Sequence, residues 1–197
     1  MKTSGIILPP RVTPGVTEAG CDEAGRGCLA GPVVAAAVIL PEGFALPGLT
    51  DSKKLSEARR EELRAVIEHE AVAWAIAMCS PAEIDEMNIL QASITAMHRA
   101  LDALTVAPEA VAVDGNRFRQ WREVPYSTQV KGDGRFAHIA AASILAKTER
   151  DRLMNRLHAD YPQYGWDGNK GYPTAAHRAA IAAHGTTPHH RMTFRLT

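Results

Sequence analysis

A chain of 197 residues, 46% hydrophobic and 22% charged, holds enough apolar side chain for one soluble globular domain with a sizeable core. No apolar run approaches the ~20 residues that span a bilayer, and the apolar part of the N-terminus is too short for a secretory signal, so a membrane or exported protein is not expected. The zero net charge hides a division: residues 1–130 carry 12 Lys and Arg against 17 Asp and Glu (net −5), and residues 131–197 carry 10 against 5 (net +5) with six of the eight histidines.

In chain order, residues 1–15 hold Pro9, Pro10 and Pro14 and read as an extended lead-in. Val16 to Asp22 and Val33 to Leu40 read as strands joined by a glycine-rich turn with Gly25, Gly27 and Gly31. Pro41 to Thr50 is a loop that runs into Asp51-Ser-Lys-Lys-Leu55, after which Ser56 is a natural N-cap for a helix. Glu70 to Cys79 reads as a third strand. Ser80, Pro81 and Glu83 make a capping box with proline at the first helical position. The helix they start places Ile84, Met87, Leu90, Ile94, Met97, Leu101 and Leu104 at steps of three and four, a core stripe.

Val111 to Asp114 reads as a strand ending in a carboxylate and Gly115, and Tyr126 to Val130 as the next strand, with Lys131-Gly-Asp133-Gly134 as its exit loop. Phe136 to His158 is a long helix with Ala142, Leu145, Ala146, Leu153 and Leu157 facing inward. Tyr161 to Pro173 is an aromatic, glycine-rich loop, and Thr174 caps an alanine-rich helix that stops at Gly185. The tail from His189 to Phe194 is basic with one aromatic anchor. With no repeat, linker or low-complexity segment, residues 1–197 read as a single domain, with 159–197 as a C-terminal extension. Cys21, Cys28 and Cys79 are odd in number and in no zinc spacing, which fits reduced thiols in the cytoplasm.

Three strand ends carry acids: Asp22 with Glu23, Asp114, and Asp133. Sites in open α/β sheets gather where central strands end, so these acids are expected to converge. An Asp-Glu pair before glycines, and an aspartate beside a glycine, also suit plain solvated turns. Four converging carboxylates repel unless divalent cations neutralise them. Mg²⁺ and Mn²⁺ prefer carboxylate and water oxygens, and two such ions about 4 Å apart can activate a water and stabilise the departing oxygen of a phosphodiester. Glycines beside the acids let backbone approach a ligand, Arg26 offers a planar phosphate donor, and a basic C-terminal third suits a polyanion.

These segments, in this order, closely resemble one family. Asp22-Glu-Ala-Gly-Arg-Gly, Gly31-Pro-Val, Asp51-Ser-Lys-Lys-Leu, Val113-Asp-Gly, Lys131-Gly-Asp, Ala141-Ala-Ser-Ile-Leu-Ala-Lys and Lys170-Gly-Tyr resemble bacterial ribonuclease HII over residues 17–194. The resemblance implies a ribonuclease H-like α/β fold: a mixed five-stranded sheet with helices on both faces and a helical C-terminal extension. It implies Mg²⁺- or Mn²⁺-dependent cleavage of RNA in RNA–DNA hybrids and 5′ of single ribonucleotides in duplex DNA, leaving a 3′-hydroxyl and a 5′-phosphate.

By the same resemblance, Asp22, Glu23, Asp114 and Asp133 are the metal-binding, catalytic carboxylates. Gly25, Arg26 and Gly27 match the motif that reads the ribose 2′-OH, the group that separates RNA from DNA. Tyr172 matches a tyrosine that packs on the junction sugar, and Lys53, Lys54, Ser143 and Lys147 match polar residues near the phosphates. Cys28 and Asn169 depart from the family's common proline and histidine. A monomer is the default. Two other readings stay open: a hybrid-binding module without catalysis, and a metal-free ribonuclease using His189 and His190.

Overall fold

In the computed structural model, which describes residues 7–196, five strands form one mixed sheet. They are β1 (Glu18–Ala24), β2 (Val33–Ile39), β3 (Ala73–Cys79), β4 (Ala110–Asp114) and β5 (Tyr126–Gln129), in the order β3-β2-β1-β4-β5. β2 runs antiparallel to both β1 and β3, whereas β4 runs parallel to both its neighbours, β1 and β5. Two parallel strands, β1 and β4, therefore lie side by side and end at the same edge, and both carry acids at or near that end.

β2 is buried over its whole length, which explains its unbroken apolar run: a central strand covered on both faces has no polar side to show. Its odd positions (Val33, Ala35, Ala37, Ile39) pack with Ala92, Ala96, Met97, Ala100 and Leu101 of a helix on one face. Its even positions (Val34, Ala36, Val38) pack with Leu63 and Ile67 of α1 (Glu57–Glu70) and with the alanine-rich start of α4 (Ala137–Asp160) on the other. Ser56 caps α1, its side chain accepting from Arg59 N–H.

α4 lies close under β1. A Cβ at Gly20 would stand 2.5 Å from the His138 carbonyl carbon, so only glycine admits this approach. The first two turns of α4 thus sit beneath the acid-bearing end of β1.

The structure corrects four expectations. β1 starts and ends two residues later than expected: pairing continues to Ala24 opposite Val34, so Asp22 and Glu23 are strand residues. The helix expected over Ser80 to Leu104 is two helices, α2 (Pro81–Met87) and α3 (Ile89–Asp102), parted at Asn88. Asn88 takes φ 70°, which asparagine tolerates, and its side chain accepts from Leu90 and Gln91 N–H to cap α3. The expected stripe therefore holds only in part: Ile84, Met97 and Leu101 are buried in this core with Ala92, Ala96 and Ala100 beside them, whereas Leu90 is only part-buried. Finally, the loop expected over 161–173 contains a 3-10 turn at Pro162–Tyr164 and a one-turn helix, α5 (Trp166–Asn169).

Thr174 caps α6 (Ala175–His184), which ends at Gly185 as expected. This C-terminal part builds its own apolar cluster, with Met154, Tyr164, Trp166 and Ile181 around Leu29 and Ala30. It therefore packs directly on the chain that leaves the glycine-rich turn. Residues 1–6 of the expected lead-in lie outside the described residues. Among the described residues no helix is long and apolar enough to cross a membrane.

Candidate active site

The four acids named from sequence meet at the edge where β1 and β4 end. Asp22 and Glu23 are near the end of β1, Asp114 is the last residue of β4, and Asp133 sits in the 3-10 turn Gly132–Gly134 that precedes α4. Asp114 Oδ1 accepts the Gly132 N–H at 2.7 Å, which fastens the Asp133 turn to the end of β4. Asp22 Oδ1 accepts the Glu23 N–H at 2.7 Å.

Their electrostatics are those of a crowded anionic site. Burial, then the Glu23 and Asp114 charges, push the Asp22 carboxyl well above its ordinary range, with Ser143 opposing by a hydrogen bond. Burial also raises Glu23 despite the Arg26 guanidinium, which lies 3.3 Å from Glu23 Oε1. Asp133 is pushed up to about 6 by burial and by Asp114 and Asp51. As the side chains stand among the described residues, no three acidic, histidine or cysteine groups are gathered so as to hold a metal ion. Glu23 leans on Arg26, Asp114 holds a backbone amide, and Lys53 feels the charges of Asp22, Asp51, Asp133 and Asp114 as a shared counter-ion. The donor set is oxygen-only and short of positive charge, which suits Mg²⁺ or Mn²⁺ by chemistry.

A cavity of about 220 Å³ opens beside the acids, lined by Glu23, Ala24, Gly25, Arg26, Gly27, Ser52, Lys53, Ser143, Lys147 and Tyr172. A second, of about 330 Å³, is lined by Asp51, Lys53, Lys54, Asp114, Lys131, Asp133 and Gly134. Lys53 borders both. Every residue assigned a substrate-binding role from sequence thus lines one of two adjoining hollows. Ser52 Oγ and Ser143 Oγ are 3.0 Å apart, which pins the Asp51–Leu55 segment to α4. Lys147 is ion-paired to Asp151 at 2.7 Å and stands 6.0 Å from the centre of the Tyr172 ring.

The two glycines of the turn differ. Gly25 takes φ +95°, and a Cβ there would strike the Arg150 side chain at 2.0 Å, so the fold itself demands glycine. At Gly27 a Cβ would meet nothing within 4 Å. Its bareness keeps space open on the cavity side.

Sequence reasoning missed Asp51, a fifth acid that faces Asp133 and caps the Ser52–Lys54 turn by accepting the Lys53 N–H at 3.0 Å. Its signal was its position at the head of a segment already singled out. The histidines of the metal-free reading lie elsewhere. His190 is buried among Tyr164, Trp166 and His177, its Nδ1 accepting from Thr187 N–H, and burial pushes its pKa down to about 4. Such a ring is shielded from a surface-bound strand.

Residues 19–197 match the family model described as Ribonuclease HII. The chain belongs to the ribonuclease HII family. It is 62% identical over 190 residues to Ribonuclease HII of Bacteroides thetaiotaomicron, covering 96% of this chain and 95% of that one. Among solved structures it resembles ribonuclease H2 of Pyrococcus horikoshii OT3, at TM-score 0.77 and 26% identity over 91% of this chain and 94% of the other. The fold also matches Bst-RNase HIII in complex with Mn²⁺, at TM-score 0.70 and 18% identity over 92% of this chain and 68% of the other, a likeness of fold alone. The protein is therefore an enzyme, a ribonuclease with the ribonuclease H fold.

Proposed function

We propose that this ribonuclease hydrolyses the RNA strand of RNA–DNA hybrids and cuts 5′ of single ribonucleotides in duplex DNA, leaving a 3′-hydroxyl and a 5′-phosphate. Asp22, Glu23, Asp114 and Asp133 would hold two divalent ions, Mg²⁺ or Mn²⁺. The observation that carries this reading is the meeting of four acids from three chain segments at one sheet edge, with Asp22 and Asp133 both raised by burial and by the Asp114 charge. When bound, the ions supply activation of the attacking water and stabilisation of the leaving 3′ oxygen.

The chain's own residues bind and orient. Lys53 and Lys54 offer charge to phosphates beside the acids, as Lys147 does from α4. The exposed face of Tyr172 offers a platform for the junction sugar, and the open space at Gly27 lets a ribose come close to the main chain. Arg26 reaches both Glu23 and the cavity, so phosphate binding and release of Glu23 toward an ion are compatible events. The proposal takes residues 1–197 as one domain acting as a monomer. Its three free, buried thiols suit a reducing cytoplasm.

The test is cleavage of a DNA duplex holding one ribonucleotide, beside an all-DNA control, with Mg²⁺, with Mn²⁺ and with EDTA. The expected result is a single 5′ cut that needs the ion and leaves a 3′-hydroxyl. A cyclic phosphate product, or cleavage that survives EDTA, would overturn it.

A further inference from the structure

The basic tail plays no part in the site as described, yet it carries the least expected feature of the molecule. Arg191 is fully buried, and Arg150 lies beside it at 1% exposure. Burying a guanidinium without an acid is costly unless its donors are all met. Both here point their N–H groups at main-chain carbonyls. Arg191 donates from Nε to Gly31 O at 3.0 Å, from Nη1 to Arg26 O at 2.9 Å and from Nη2 to Gly25 O at 2.7 Å. Arg150 donates to Pro32, Lys170 and Ala30 carbonyls at 3.1, 2.8 and 3.0 Å.

Those acceptors fix more than the carbonyls themselves. In a trans peptide the N–H points opposite to the C=O, and among the described residues no peptide bond is cis. With the Gly25 and Arg26 carbonyls turned inward onto Arg191, the N–H groups of Arg26 and Gly27 point the other way. Both residues line the cavity that also holds Tyr172. The tail that delivers Arg191 is itself anchored on two sides. Gly31 N–H donates to His189 O at 2.8 Å and Arg191 N–H to Leu29 O at 2.9 Å, while Asp85 accepts from Met192 N–H, Thr193 N–H and Thr193 Oγ1 at 2.8, 2.9 and 2.6 Å. Burial and the neighbouring Arg150 charge push the Arg191 guanidinium down to about 10, so it stays a cation at neutral pH.

We propose that Arg191 is a positioning residue: it locks two successive peptide planes so that the Arg26 and Gly27 amides stand as paired donors for the ribose 2′-hydroxyl. This rests on the function proposed above and deepens it. The C-terminal extension then serves discrimination between ribose and deoxyribose, not grip on the phosphate backbone.

The test compares wild type, Arg191→Gln and Arg191→Lys by their affinity for a duplex with one ribonucleotide and for the all-DNA duplex, and by KM and kcat on the former. For Arg191→Gln the ribonucleotide-to-DNA affinity ratio is expected to fall about tenfold, the loss of roughly one charge-assisted hydrogen bond's worth of order. All-DNA affinity should stay within about twofold and KM should rise more than kcat falls. Arg191→Lys, which keeps the charge but cannot fork across two carbonyls, is expected to restore part of the ratio. A folded Arg191→Gln with an unchanged ratio, or with equal loss for both duplexes, would overturn the inference. Should Arg191→Gln fail to fold, Arg191→Lys decides alone: a lowered ratio supports the lock and an unchanged one refutes it. A wild type that fails to cleave the ribonucleotide-bearing duplex would sink the underlying reading itself, whereas one that cleaves it yet binds both duplexes alike would overturn the lock alone.

Discussion

Strand β1 carries a buried carboxylate near each end, and the two are opposites. Glu18 is 2% exposed and Asp22 is 5% exposed, so burial penalises both. Around Glu18 every contact is a donor: Val12 N–H at 2.6 Å, Thr13 N–H at 3.2 Å, Thr13 Oγ1 at 2.9 Å and His138 Nε2 at 2.9 Å. Its carboxyl consequently titrates below the ordinary value, despite burial, because of His138 and Thr13. Asp22 accepts from the Glu23 N–H and Ser143, but burial and the charges of Glu23 and Asp114 outweigh those bonds, and its carboxyl titrates well above the ordinary value. The same carboxylate chemistry, four positions apart on one strand, is a structural anchor at one end and a crowded, disfavoured charge at the other. A fold keeps the second kind only where something else supplies the countercharge.

The sharpest way to break this comparison is to neutralise each carboxylate in turn. Asp22→Asn should lower kcat on a ribonucleotide-bearing duplex by on the order of a thousandfold while leaving the melting temperature unchanged or higher, since it relieves repulsion. Equal losses of activity and stability would place Asp22 with Glu18 as a structural group.

Glu18→Gln should do the reverse. It breaks a buried hydrogen-bonded pair and should cost about 2–3 kcal/mol in urea denaturation, with kcat per folded molecule retained. It should also alter the acid limb of stability. His138 Nδ1 accepts from Ile139 N–H, so Nε2 carries the ring proton that meets Glu18, and burial holds the ring's pKa below 6.5. A base whose folded pKa is depressed loses stability as pH drops below 6.5, and Glu18, also depressed, adds its own loss as pH falls through its folded value. Wild type should therefore weaken progressively on acidification below pH 6.5, and Glu18→Gln should show a shallower fall over the carboxylate part of that range. Identical pH profiles would contradict the role given to this pair.

Smaller effects separate the two glycines beside the acids. Gly25→Ala should cost about 1–3 kcal/mol, from a left-handed backbone and a clash with Arg150. Gly27→Ala should leave stability within about 0.5 kcal/mol and weaken binding of the ribonucleotide duplex instead. Equal stability losses at both positions would remove the distinction between a glycine the fold requires and one kept open for a ligand.

The strands and most helix caps were legible in the sequence because their signals are local. Ser56 and Thr174 cap the helices expected of them, and Ser80 starts a helix as expected, though only the short α2. Asp22, Glu23 and Asp114 were legible because each follows an apolar run, and Asp133 because it sits in a glycine turn just after an expected strand. What stayed hidden depends on partners distant in sequence. The Asn88 break was masked by apolar residues that kept a helical period on both sides of it, and the alanine face of α3 shows only once the sheet is known. Asp51 faces Asp133 across more than eighty residues. Arg191 grips backbone carbonyls some 165 positions away, and a carbonyl leaves no mark on the sequence.

The central claim is that the acids at the end of β1 and β4 jointly hold divalent ions. Titration calorimetry with Mn²⁺ on wild type, Asp22→Asn and Glu18→Gln tests it most directly. Saturable binding of two ions by wild type and by Glu18→Gln, with binding severely weakened in Asp22→Asn, is the predicted result. Mn²⁺ binding that is indifferent to Asp22, or absent from the wild type, would contradict it.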